Sequence, residues 1–454
     1  MLAQLLSPRF LTELRATSRL AGPLALAQLA QIGMGLTDTV MLGALGRDSL
    51  AAGGLGAGLF FTIAAVVQGL VMGVGILVAH ARGADEPHKI PPLLRSGFVL
   101  ASLAALPLMI VLWNVEPLLV VIGEPEPLAH DVGRYLHILL FATPASMWLA
   151  VQRSYLAAVG KTNLVMGVAV AALVANCLLN YALIHGRFGL PEMGYLGSCT
   201  ASLIAIWAMV AATAAGMRRT QTGRREVVPI DWKVVRELVG LGWPIAVTMG
   251  VEIILFLVGA LMMGMLGAAS LAAHHVAISI ASTTFMVPLA VAQAANVRVG
   301  FHMGAHDPHM ARRAATAAFL LGVGFMTISA VVMLVAPLQI ALLFNLKTDI
   351  AADAEVITIV VRLLLICSFF QVFDGAQTIA AGALRGMKDT RVPALLAGFS
   401  YWAIGFPVAW ALAFPLAWGP TGVWLGLAVG LAAAAVVLNV RFWRLRARIA
   451  AAKA

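Results

Sequence analysis

The sequence predicts an all-α polytopic membrane protein: twelve transmembrane helices in two pseudo-symmetric six-helix bundles around a central cavity. Three observations carry that prediction, namely the composition, the number of long apolar runs, and a repeat between the two halves. Of 454 residues, 61% are apolar and 11% charged, and the mean hydropathy is +0.94. Soluble domains run near half apolar and a quarter charged, so this chain belongs in a bilayer.

A helix needs roughly 20 apolar residues to cross the hydrocarbon core. Twelve such runs are expected, at 20–43, 50–79, 96–122, 134–157, 163–185, 194–216, 237–265, 271–298, 314–344, 356–384, 393–414 and 420–443. Little remains for a soluble domain. The longest polar stretch, RRTQTGRREVVPIDWK, reads as a linker at 217–236 between a first lobe (1–216) and a second lobe with a basic tail (237–454).

Lys and Arg set the orientation. They gather at the N-terminus (Arg9, Arg15, Arg19), in the linker (Arg218, Arg219, Arg224, Arg225, Lys233) and at the C-terminus (Arg441, Arg444, Arg446, Arg448). An even number of spans separates these segments, and the connections after spans two, four, eight and ten are basic too. The positive-inside rule places that side, with both termini, in the cytoplasm. The net charge of +10 then reads as contact with anionic lipid headgroups. No nucleic-acid partner is expected, because the charge is spread over many short loops. Early arginines interrupt any signal-peptide run, so a cleavable leader is not expected. Cys177, Cys199 and Cys367 all fall within spans and do not indicate a disulfide framework.

The halves repeat. Pro23 and Pro244, Gly46 and Gly267, and Gly83 and Gly304 are each 221 residues apart. Later the offset becomes 228, for Thr162 with Thr390 and Gly194 with Gly422, which one inserted segment explains. Six spans per half makes a parallel repeat about an axis along the membrane normal, as in transporters that alternate access by rocking.

Of 20 Asp and Glu residues, seventeen fall in loops, termini or span ends. Asp38, Glu252 and Asp374 do not. A charge at the bilayer centre costs about 2.5–3.5 kcal/mol on insertion scales, so such residues usually line an ion or substrate path. By the repeat, Glu252 corresponds to Gln31, Asp38 to Gly259 and Asp374 to Ser146. The acids have therefore diverged between halves, which favours specialised sites over architecture. Asn176 and Asn180 share a helix face, and Thr200 lies in the next span. With Asp38 they offer oxygen ligands for a small hard cation or a seat for a proton. Taken singly, each is more often helix–helix glue than a ligand.

The stretches GMGLTDTVMLG, LAAHH, NCLLNYALIHG, VEIILF and especially QVFDGAQTIAAGALRGMKDT resemble the multidrug and toxic compound extrusion (MATE) transporters, in the NorM-like branch. The resemblance covers nearly the whole chain. It implies export of organic cations and drugs in exchange for Na⁺ or H⁺, without a cofactor and without enzymatic activity; a monomer is expected. It matches Asp38 and Asn180, with Asn176 and Thr200 beside them, to first-lobe positions, and Glu252 and Asp374 to a second-lobe cation site. Gln31, His275 and Phe370 are expected in the substrate cavity, and Pro23 and Pro244 as hinges. Two departures leave the choice of ion open: Phe370 stands where relatives often carry Tyr, and His275 where they carry a glutamine.

Other signals carry less. GKT at 160–162 lacks the first glycine of a phosphate loop, Tyr155 standing there instead. His302, His306 and His309 lie in a short solvated loop, where metal binding is not expected. A flippase of lipid-linked saccharides is the main alternative, but its cavity should carry basic residues for a pyrophosphate, and none is expected mid-span. A membrane enzyme would need a clustered nucleophile, base or metal motif, which the chain lacks.

Overall fold

Inside a bilayer every backbone N–H and C=O must be bonded within the protein, and a run of apolar residues meets that demand as a helix. The computed structural model describes residues 7–220, 229–344 and 350–451; the middle of the linker, with Arg224 and Arg225, lies outside them. Among the described residues there is no strand, and twelve helices are long and apolar enough to cross a membrane. They are α1 (Pro8–Ala44), α2 (Arg47–Gly83), α3 (Pro87–Trp113), α4 (Glu126–Ala158), α5 (Thr162–His185) and α6 (Tyr195–Arg219) in the first half. The second half supplies α7 (Trp232–Met265), α8 (Ala268–Gly304), α9 (Pro308–Val335), α10 (Asp353–Gly386), α11 (Arg391–Ala413) and α12 (Pro420–Leu445).

Three helices differ most from the sequence reading. Helix α1 begins at Pro8, so Glu13 is helical and buried rather than terminal and solvated. Its carboxylate accepts from Arg298 Nη2 at 2.5 Å and Nε at 3.1 Å, and lies 3.0 Å from His302 Nε2. Helix α3 stops at Trp113, where Asn114 leaves helical geometry before a separate short helix, Val115–Ile122. Helix α9 stops at Val335, ahead of the short helix Pro337–Leu342. Pro337 has no N–H to give the preceding turn, so the helix must end there and can restart. Helix α11 also departs from regularity: a π-helical segment, Ser400–Gly405, lies between its α-helical ends.

The repeat is written into the backbone. Gly46 and Gly267 have φ of 118° and 117°, Asp85 and His306 have 56° and 58°, and Gly160 and Lys388 have 76° and 60°. The first two pairs are 221 residues apart and the third 228, the offsets found in the sequence. Left-handed backbone is costly for residues with a Cβ. Asp85, His306 and Lys388 adopt it because the turn geometry of the repeat requires it.

The chain forms two compact units. Unit one contains Met1–Ala25, Arg82–Asp85 and Val247–Ala454; unit two contains Leu26–Ala81 and Glu86–Ala246. These are not the halves on either side of the linker. Helix α1 changes unit after Ala25 and α7 after Ala246, in each case two residues beyond the paired prolines Pro23 and Pro244. Within unit one an apolar core gathers around Trp424, Tyr401, Phe370 and Cys367. There α11 and α12 approach closely: a Cβ on Gly426 would overlap the backbone of Ala409. Within unit two the same device joins α2 to the first part of α7, where a Cβ on Gly242 would overlap the Leu70 carbonyl. Small residues permit such backbone approach between membrane helices.

Because Leu70 backbone cannot yield as a flexible side chain could, Gly242→Val is expected to destabilise by about 1–3 kcal/mol. Gly54→Ala, where nothing lies within 4 Å of the added carbon, is the control. Thermal unfolding of the two variants in detergent checks this; equal midpoints would refute the tight crossing.

Candidate functional site

In unit two, α1 presents Asp38, α5 presents Asn176 and Asn180, and α6 presents Ser202. All four side chains are buried. Asn180 Nδ2 donates to Asp38 Oδ1 at 2.7 Å and to the Asn176 carbonyl at 3.0 Å. Ser202 Oγ donates to Asp38 Oδ2 at 2.9 Å and lies 3.4 Å from Asn176 Nδ2, which donates to it. The i, i+4 spacing of the two asparagines on α5 is what lets both reach one carboxylate network. Their amide oxygens, Asn176 Oδ1 and Asn180 Oδ1, are buried without a protein partner among the described residues. A carboxylate beside orphaned neutral oxygens suits a small hard cation.

Thr200 does not join this network. Its hydroxyl donates to the carbonyl of Leu196, one turn back on its own helix, at 2.9 Å. Ser202, two residues on in the same GSCTAS stretch, takes the place that the sequence reading gave to Thr200. A hydroxyl two residues away lies about 200° round a helix, so only one of the two can face Asp38.

Gln31 is also in unit two. Its Oε1 accepts from Arg153 Nη1 at 3.0 Å, and both line a cavity with Phe60, Phe61, Asn176 and Ser202. Arg153 sits in α4, inside the fourth predicted span. It lies five residues before α4 ends at Ala158, nearer the end of the span than its middle, and it lines the cavity all the same.

In unit one, α7 presents Glu252 and α10 presents Asp374 and Gln377. Gln377 Nε2 lies 3.4 Å from Glu252 Oε1 and 3.3 Å from Asp374 Oδ1, and so donates toward both acids. Tyr401, carried by the π-helical segment of α11, donates its hydroxyl to Gln377 Oε1 at 2.7 Å. That bond aims the amide's donor side at the carboxylates. Gln377 is three residues past Asp374 and shares its helix face. Tyr401 had no local sequence signal, since it reaches the site from another helix.

The remaining predicted cavity residues divide. Phe370 is a core residue, 1% exposed, packed against Phe256 and Trp424 with ring centroids 6.2 and 5.6 Å away. Its apolar ring is accommodated by burial, which corrects the expectation that it lines a cavity. His275 is exposed, whereas its neighbour His274 is buried and accepts from Trp424 Nε1 at 3.2 Å. Among the described residues no three His, Cys, Asp or Glu side chains form a metal-binding group.

Tyr401→Phe removes the one donor to Gln377 Oε1 among the described residues. A buried acceptor left unmet costs about 1–3 kcal/mol, so the variant's thermal midpoint should fall. Unchanged unfolding would show that the tyrosine does not hold the amide.

The MatE family model matches twice, over residues 23–182 and 244–411, each match starting at one of the paired prolines. The multidrug resistance protein NorM of Burkholderia vietnamiensis is 47% identical over 433 residues, 94% of this chain and 93% of that protein. A probable multidrug resistance protein NorM of Rhizobium meliloti is 40% identical over 448 residues, 98% and 96% of the two chains. Among solved structures, a eukaryotic MATE transporter superposes with a TM-score of 0.86 at 23% identity, covering 97% of this chain and all of that one. An outward-facing multidrug resistance MATE transporter of the MOP superfamily gives 0.87 at 19% identity, with 96% of each chain covered. With the repeat, the twelve helices and relatives matched almost end to end, this chain belongs to the MatE family of multidrug and toxic compound extrusion transporters.

Proposed function

We infer that this transporter exports organic cations and drugs across the bacterial inner membrane by antiport with Na⁺ or H⁺, working as a monomer with cytoplasmic termini. The observation that carries the coupling is the pair Glu252 and Asp374. Both accept from one neutral amide, and neither forms an ion pair among the described residues. Two carboxylates sharing one amide repel when both are charged, and a proton or cation between them removes the repulsion. Asp38, with its neutral partners Asn180 and Ser202, is the second coupling site. In this reading the ion and an organic cation compete for the same negative charge, so binding of one favours release of the other.

Rocking of two lobes is the proposed motion, with Pro23 and Pro244 as hinges. Its support is the change of unit two residues beyond each proline. A proline leaves one carbonyl of the preceding turn unbonded, which lowers the cost of bending there. The flippase alternative gains Arg153 as a cavity-lining cation, but one guanidinium does not make a pyrophosphate cavity. The relatives named multidrug resistance proteins favour efflux.

In vesicles loaded with a fluorescent organic cation, an imposed Na⁺ or proton gradient should drive efflux, and the effective gradient identifies the ion. Glu252→Gln and Asp374→Asn are each expected to lower that efflux at least tenfold while the protein remains inserted and folded. Full efflux by both variants at normal expression sinks the unit-one coupling site.

Pro23→Ala restores the missing hydrogen-bond donor in α1. It is expected to slow turnover several-fold while drug binding, measured by fluorescence anisotropy, changes little. A normal turnover rate removes the hinge.

A further inference from the structure

A groove on unit two shares no lining residue with the cavity around Arg153 and is used by neither coupling site. It holds about 690 Å³ and is lined by Pro91, Arg95, Phe98 and Leu103 of α3, by Trp148 of α4 and by Met217 of α6. That volume falls within the range of about 300–1,000 Å³ usual for small-molecule sites. The α3 residues that line it recur every three or four positions from Pro91 to Leu103, so they form one helix face. At 1.5 Å per residue the face runs about 18 Å, close to one leaflet of a hydrocarbon core about 30 Å thick.

Charge is confined to one end of this face. Arg95 stands near the start of α3, and the polar groups deeper in the groove are already satisfied. Trp148 Nε1 donates to Ser102 Oγ at 3.0 Å, and Ser102 Oγ donates to the Phe98 carbonyl at 2.9 Å. Further cations gather at the Arg95 end. Arg218 and Arg219 follow Met217 and are exposed. Ser96 Oγ donates to the Asp231 carbonyl at 3.4 Å, which sets the start of α7, with Lys233 and Arg236, beside the same turn of α3. These cations outnumber the acids next to them, Asp231 and Glu237. By the repeat, Arg95 corresponds to Thr316 and Trp148 to Ala376, so the shared helix plan requires neither.

We propose that this groove binds one anionic phospholipid of the leaflet at its basic end, with the phosphate on Arg95 and one acyl chain along Phe98, Leu103 and Trp148. In the orientation inferred above that is the cytoplasmic leaflet, whose negative surface potential comes from such lipids. A guanidinium matches phosphate oxygens through its planar fork. A soluble phosphate would leave the apolar wall uncovered. A zwitterionic lipid covers the wall but brings another cation to a basic end, so charge complementarity selects the anionic one.

Binding is read without transport, so the test stands apart from the efflux reading. Full-length protein is reconstituted in phosphatidylcholine vesicles carrying a small fraction of chain-brominated phosphatidylglycerol, or the same fraction of chain-brominated phosphatidylcholine. The Trp148 share of the fluorescence is the difference between wild type and Trp148→Phe. Brominated phosphatidylglycerol is expected to quench that share about fivefold more effectively, the preference that one cation near a membrane surface gives. Arg95→Gln should abolish the preference and leave quenching by brominated phosphatidylcholine unchanged, which is its folding control. Arg95→Lys, which keeps the charge, should retain most of it. Native mass spectrometry of the wild-type protein, which needs no variant, should retain one phosphatidylglycerol in preference to phosphatidylcholine. Equal quenching by the two lipids, a preference that survives Arg95→Gln, or no preferential retention overturns the site.

Discussion

An ionised carboxylate inside an apolar helix bundle must be met by donors or by a cation, and the architecture around Asp38, Glu252 and Asp374 follows from that demand. Desolvation of an unmatched charge costs several kcal/mol, far more than one ordinary hydrogen bond returns. Here the protein's closest answers are neutral side chains: Asn180 and Ser202 at Asp38, and Gln377 at Glu252 and Asp374. Neutral donors stabilise a carboxylate without cancelling its charge. The contrast with Glu13 is direct, since Arg298 meets that acid through two hydrogen bonds and closes it to other cations. The two kinds of acid are thus told apart by the charge of the partner.

The repeat supplies the frame on which those sites differ. Positive-φ residues recur at the two sequence offsets, so the turns of each half are built alike even where side chains have changed from Gly160 to Lys388. The acids do not recur. Unit two holds one carboxylate among carboxamides and a hydroxyl, and unit one holds two around a single amide. A lone buried carboxylate is neutralised by one proton, whereas a pair offers more negative charge to a metal cation. Duplicated turn geometry thus carries unlike side-chain chemistry in the two units.

Aromatic residues are deployed with similar economy of place. In unit one Phe370, Trp424 and Tyr401 form a single buried cluster, and the last of these extends its hydroxyl to Gln377. Packing of the core and aim of the site amide are therefore one arrangement. Tyr401 is carried by the π-helical turn Ser400–Gly405 and is buried there. In unit two Phe60 and Phe61 instead wall a cavity that ends on Arg153.

The number of spans, the repeat and the three mid-span acids were all determined by the sequence, because each is a one-dimensional signal. Apolar run length reports the cost of leaving a backbone unbonded in hydrocarbon, and a carboxylate within such a run stands out against it. Pairings across helices were decided only by the tertiary structure. Nothing local distinguishes Ser202 from Thr200, since both are hydroxyls in one short stretch and only the rotation of α6 against α1 selects between them. Phe370 was expected in the cavity by resemblance, yet its ring packs against Phe256 and Trp424 in the core, a choice made by the neighbouring helices. Arg153 and Tyr401 reach their partners across distances of 122 and 24 residues. Such contacts depend on helix rotation and on one irregular turn, and neither hydropathy nor periodicity encodes those.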